Sequence, residues 1–347
     1  HLGLRPTSLA EDIREIQRVC GLPAAPELKF IDNIKALKSK DPRVASLRAM
    51  FEAEIDQQHS SLPIALCLPG SCEEQENQAN SYRVKIGSGS YDVYDDLDVH
   101  EILKKLRSEP KGDRFSALFS GYIAMCEDGN GKNVISGHLK AHKWLAYETS
   151  LDGTHYFFYQ GSWYEIGSGY LESIKDRVRQ LFERGSTLVF PRWESRFMSE
   201  NDYNKHLASK WHNSVCLDAK MIYTDQHPRG IEACDVLGPD NELVHVKRSA
   251  SSAPMSHLFS QGLVSIEALR ADRQARKKLS ERVNQISAGR FLDPSTKFNK
   301  VIYAIALKKN STVGPDSLFT FSQVSLVRAV TALEVAGIDV EIAPISQ

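Results

Sequence analysis

No run of apolar residues in this chain is long enough to cross a bilayer, and no signal peptide is read, although a longer front end would hide one. Cysteine is scarce: six residues fall in no zinc pattern, and the close pair Cys67 and Cys72 has neither zinc-knuckle nor redox spacing. That usage fits a reducing, cytoplasmic setting, with Cys216 and Cys234 as small buried hydrophobes. An excess of one charge is also missing. Lys and Arg total 43 against 44 Asp and Glu, a net charge of −1, and the pI is near 6.9. Overall charge therefore excludes a dedicated non-specific nucleic-acid binder, and any such affinity must come from a local patch. Gly87-Ser88-Gly89-Ser90 lacks a following Lys-Ser/Thr, so it reads as a hairpin turn and not a phosphate-binding loop. There is no repeat and no low-complexity tract.

What remains is an ordinary globular composition, 347 residues with 41% hydrophobic and 25% charged, long enough for two domains. Residues 1–195 read as an α+β region whose role is not legible. Its clearest part is a three-strand meander: 143–149, then 154–160, then 162–166, with turns at Asp152-Gly153 and Gln160-Gly161. The aromatics Trp144, Tyr147, Tyr156, Phe158, Trp163 and Tyr164 suit a buried face better than a base-stacking platform.

Residues 196–347 carry the pattern helix, three strands, helix, strand, helix, strand. Ser199 N-caps a helix to about Trp211, and strand-like runs follow at 215–223, before Gly238 and from Leu243. A long, possibly interrupted helical stretch (256–287), a β-branched run (300–307), a helix (322–336) and a strand (339–344) complete the chain. The fold class is α/β (α+β), the order of a restriction-endonuclease-like mixed sheet flanked by helices.

The hairpin in this half carries the chemistry. Asp235 ends its first arm and Lys247 sits on its second, so an acid and an amine stand at one end of neighbouring strands. This is the layout of a PD-(D/E)xK nuclease, in which magnesium held by carboxylates activates water and stabilises the charge on phosphorus. Asp235 is then the central ligand, Glu200 from the preceding helix a second acid, and Lys247 the group that polarises the attacking water or neutralises the phosphate. His245 stands where that pattern has an acid and shares a face with Lys247, so the metal is softer, such as manganese, or the site is degenerate. Glu232, three residues before Asp235, points to the other face of a regular strand unless a bulge intervenes. Asp218-Ala219-Lys220 reads as a cross-strand ion pair.

Glu200 with Tyr203-Asn204, Leu217 to Lys220, Glu232 to Leu237, Leu243 to Arg248 and Ser256 to Gly262 resemble a sporadically distributed bacterial family of unknown function. Segments 152–165 and 30–34 resemble other parts of it, and His245 is the family's own residue at its position. The resemblance implies a setting among mobile or anti-phage defence genes, and a chain lacking an N-terminal region. It implies no activity.

A metal-dependent nuclease acting on DNA ahead of RNA follows from the hairpin; the alternative is a nuclease-fold module that has lost cleavage and binds nucleic acid or a partner protein. Phosphate contacts are assigned to Arg248, with 249–252 beside it, and to Arg270, Arg273 and Lys277, which fall on one face of an uninterrupted helix. A solvated helix face is the competing reading. No membrane partner is expected, and self-association is left open.

Overall fold

Lys300–Leu307 is apolar at nearly every position, a pattern that a strand satisfies only when both its faces are covered. The computed structural model describes residues 6–22, 34–57, 63–72, 75, 79–95, 97–228, 230–249, 255–287, 289–308 and 313–347. Residues 30–33 and 250–252, part of the expectations above, lie outside these.

In chain order the elements are α1 (Pro6–Cys20), β1 (Ile34–Ala36), α2 (Pro42–Ile55), β2 (Ile64–Leu66), β3 (Ser81–Lys85), β4 (Asp92–Tyr94), α3 (Val99–Ser108), α4 (Arg114–Ser120), β5 (Tyr122–Cys126) and β6 (Leu139–Lys140). Then come β7 (Leu145–Leu151), β8 (Thr154–Tyr159), β9 (Ser162–Ile166), α5 (Ser168–Arg184), α6 (Glu200–Lys210), β10 (Val215–Cys216), β11 (Val236–Leu237), β12 (Leu243–Ser249), α7 (Met255–Ala271), α8 (Arg273–Ile286), β13 (Lys300–Leu307), α9 (Thr320–Val335) and β14 (Asp339–Pro344). The mixed α+β class and the order of elements from α6 onward match the sequence expectation.

The meander β7-β8-β9 forms as expected, widened by β1 and β2 into the sheet β1-β9-β8-β7-β2. Both tight turns have positive φ at both central residues, Asp152 and Gly153 (51° and 76°) and Gln160 and Gly161 (48° and 88°), the twist that matches paired strands. Trp144, Tyr147, Tyr156, Phe158 and Trp163 are each 4% exposed or less, so they form core and offer no stacking platform. A third sheet, β4-β3-β5-β6, completes this half.

The sheet that positions the site has the order β10-β11-β12-β13-β14. β10, β11 and β12 pair antiparallel, and β12, β13 and β14 pair parallel. Val301, Tyr303, Ile305 and Leu307 of β13 belong to one apolar cluster with α5, α7, α8 and α9. Ile302, Ala304 and Ala306 belong to another with Tyr203 and Leu207 of α6 and with Trp193 and Phe197. Helices thus cover both faces, and the first cluster is continuous across residue 195, since Phe157, Ile166 and Leu181 lie in it too. The long helical stretch is interrupted at Asp272, whose carboxylate caps the amide of Gln274 and starts α8 in a new direction.

Gly262 of α7 lies against β13, and a Cβ there would fall 2.7 Å from the Tyr303 ring. Tyr303 is fully buried and donates its hydroxyl to the Phe259 carbonyl at 2.8 Å, so it has no room to yield. Gly262→Ala is therefore expected to cost about 1–3 kcal/mol through overpacking, against the gain of up to ~1 kcal/mol that alanine brings to an unobstructed helix. Urea unfolding of the variant measures the sign, and a gain in stability contradicts the close approach.

Candidate metal centre

β12 is longer than its neighbour β11, and the site is built where β11 stops. Their ladder ends at Val236 opposite Val244, while β12 continues to Ser249 paired only with β13 on its other side. Two amides on the open side are taken by carboxylates: Val246 donates to Asp235 Oδ2 at 2.7 Å and Arg248 donates to Glu200 Oε1 at 2.8 Å. These two bonds fix both acids at the end of the sheet. Glu200 is held from the α6 side because Ser199 and Asp202 form a reciprocal capping box that sets the first turn. Lys247 Nζ stands 3.7 Å from Glu200 Oε2.

Two further acids join Asp235. Ligand oxygens of Asp218, Glu232 and Asp235 all lie within 4.8 Å of one another. Asp218 Oδ2 accepts from Asn201 Nδ2 and Asn204 Nδ2, both at 3.0 Å, and Glu232 Oε1 accepts from the Ala219 amide at 2.6 Å. Ala219 has φ +58°, a left-handed turn that bends the chain after Asp218 around the Glu232 carboxylate. Asn204 is fully buried, and its Oδ1 has no hydrogen-bond partner among the described residues.

These two acids correct the sequence reading. The run 215–223 is a strand only over Val215–Cys216, and 232–235 precede the two-residue β11, so the alternation that sent Glu232 to the far face does not operate. Asp218 takes its bonds from two asparagines of α6 and not from a lysine across a ladder. The legible signal was three acids spaced among residues that all become core, Leu217, Ile231, Ala233, Cys234 and Val236.

The electrostatics follow from crowding. Burial, then the neighbouring Asp218 and Glu200, raise the Glu232 carboxyl to about 7, against the Ala219 bond and the Lys247 amine, which lower it. Asp235 is pushed well above its ordinary range by burial and by Glu232, with Asp218 and Glu200 adding to the effect. The crowding of these carboxyls favours proton uptake at Glu232 and Asp235.

The other expected residues are placed as follows. His245 is 2% exposed between β12 and α7, within 3.3 Å of Ser265 Oγ through Nε2, and burial brings its imidazole down to about 3. It shares the strand face of Lys247 but lies deeper in the core and does not join the acid group. Arg248 lies over the Trp193 ring at 4.9 Å and donates to Gln347, so it packs the opposite face of the sheet. The break at Asp272 puts Arg270 on α7 and Arg273 and Lys277 on α8, so the three share no helix face. Arg270 donates to the Ala336 carbonyl, and Lys277 stands 3.8 Å from Glu281.

A mixed sheet covered by helices on both faces, with three carboxylates whose oxygens could hold a metal ion gathered at one strand end, defines the class as α/β. The chain belongs to the family of unknown function DUF6119, whose family model matches residues 1–346. No curated protein and no solved structure matches it. No helix among the described residues is long and apolar enough to cross a membrane.

Proposed function

We propose that this chain is a metal-dependent nuclease that cleaves phosphodiester bonds in DNA or RNA. The observation that carries the reading is the convergence of Asp218, Glu232 and Asp235 to within 4.8 Å beside Lys247, a crowding that raises the Glu232 carboxyl to about 7. Hard carboxylate oxygens suit magnesium or manganese, and among the described residues no sulfur or imidazole ligand belongs to the group. Asp218, Glu232 and Asp235 would hold the ion, which would supply charge stabilisation at the phosphate. Lys247 faces the reacting phosphate, and Glu200 orients it.

The sheet supports the same reading, since the order β10-β11-β12-β13-β14 with β11 alone reversed follows the helix, three strands, helix, strand arrangement of the PD-(D/E)xK core. The acid expected two residues before the lysine is then replaced by Glu232 and Asp218, which converge on Asp235. A cytoplasmic role in anti-phage or mobile-element defence belongs to this proposal, in keeping with six free cysteines.

Linear, supercoiled and single-stranded substrates incubated with magnesium and then manganese test it. Cutting that disappears in Asp235→Asn is the expected result. A wild type that cuts nothing leaves the module without cleavage, and equal cutting by Asp235→Asn removes this site from the chemistry.

A further inference from the structure

Beside the acid group, between α6, β10 and the C-terminal end of α8, lies an open cleft of about 400 Å³. Asp218 lines it and so belongs to both places; Asn201, Lys205, Lys220 and Ile286 are among its other walls. Lys205 follows Asn201 by one helical turn, so α6 aims both along the same wall. Lys220 follows the left-handed turn at Ala219. Both lysines are exposed, and neither has an ion pair among the described residues. The acids therefore have an amine-walled cleft beside them that the metal centre does not use.

We infer that this cleft is the substrate subsite, in which Lys205 and Lys220 hold a phosphate next to the one at the metal, and that it takes one nucleotide of a single strand. The inference rests on the nuclease reading and adds the class of nucleic acid. A volume of about 400 Å³ is at the small-ligand end of binding cavities, about 300–1,000 Å³, which suits one nucleotide and not the width of a duplex. Ile286, 42% exposed on the rim, offers the base an apolar surface, and Phe291 is 76% exposed five residues further on. Asp218 repels phosphate until a cation lies between them, so occupation of the cleft and of the metal centre is coupled.

Anisotropy of a labelled oligothymidylate in calcium, which supports binding without cutting, tests the assignment. Lys205→Ala/Lys220→Ala is expected to weaken binding at least tenfold and to lower the salt slope by about 0.7, the value for one phosphate contact on a single strand. Metal-induced thermal stabilisation should be unchanged, which also shows that the variant is folded. Unaltered affinity in the double variant, or a duplex bound as tightly as the single strand, overturns the subsite. Oligonucleotide binding lost in the variant while the wild type gains no stability from manganese keeps the subsite and sinks the metal centre instead.

Discussion

Glu232→Gln is expected to make the metal-free protein more stable at neutral pH and to remove most of its stabilisation by manganese. The carboxyl is held protonated in the folded chain up to about pH 7, whereas an unfolded glutamate releases its proton near pH 4.3. Below about 4 this group's contribution is fully present. As pH rises through 7 it is lost, because the unfolded chain has already ionised while the folded one must ionise against Asp218 and Glu200. Glutamine keeps the acceptor for the Ala219 amide and cannot ionise, so the stability difference between variant and wild type grows from about pH 4.5 upward.

Taking the difference between variants matters because half-buried His142 and buried His245, brought down by desolvation to about 4 and 3, shift the absolute pH profile the other way below about 6.5. Glu148 of β7 is also raised to about 7, by burial, but its carboxylate accepts from the Phe321 amide in the first turn of α9 and lies outside the acid group. Glu148→Gln is thus the control that changes the pH profile without touching metal binding. Manganese at 100 times its Kd should add about 2.7 kcal/mol to the wild type at pH 8. A melting-temperature series with and without the ion reads both effects. A Glu232→Gln protein that is less stable at pH 8, or fully stabilised by manganese, contradicts the arrangement.

The second large effect is expected at Lys247. Lys247→Met should lower the turnover of a phosphodiester substrate by about 10²–10⁴-fold, the range for losing a positioned proton-transfer or charge-stabilising group. The same variant should keep its stabilisation by manganese, because it removes a cation that competes for the acids and no ligand oxygen. A purely structural lysine, satisfying Glu200 and nothing else, predicts the reverse pattern of lost stability with retained turnover. Measuring kcat and the metal-induced shift on one preparation separates the two.

Much of the framework was legible from residue order. The meander followed from Asp152-Gly153 and Gln160-Gly161, whose backbones adopt the positive φ such turns need. The second arm of the hairpin, carrying Lys247, and the strand from Lys300 were read from β-branched runs, and their bounds in the fold agree closely; the first arm does not, since its strand is Val236–Leu237 and begins only after Asp235. Ser199 was identified as a cap because a hydroxyl before two acids satisfies the free amides of a first turn, and it caps α6. These are local effects, decided within a few residues.

The acid group was harder to read. Periodicity sends Glu232 away from Asp235 only where a regular strand exists, and over 217–235 the chain turns at Ala219 and pairs at isolated positions instead. The shared helix face of Arg270, Arg273 and Lys277 was lost for a similar local reason: Asp272 caps a new helix between Arg270 and Arg273.

By itself, the sequence determined the class of fold, the order of its elements, the position of the hairpin and the choice of Asp235, Glu200 and Lys247 as neighbours, because propensity, turn chemistry and apolar patterning act over short distances. Only the tertiary structure decided that Asp218 and Glu232 complete the group and that His245 belongs to the core. Those outcomes depend on where β11 ends, which amides of β12 it leaves open, and how α6 and α7 close over the two faces, and each is settled by residues far apart in the chain.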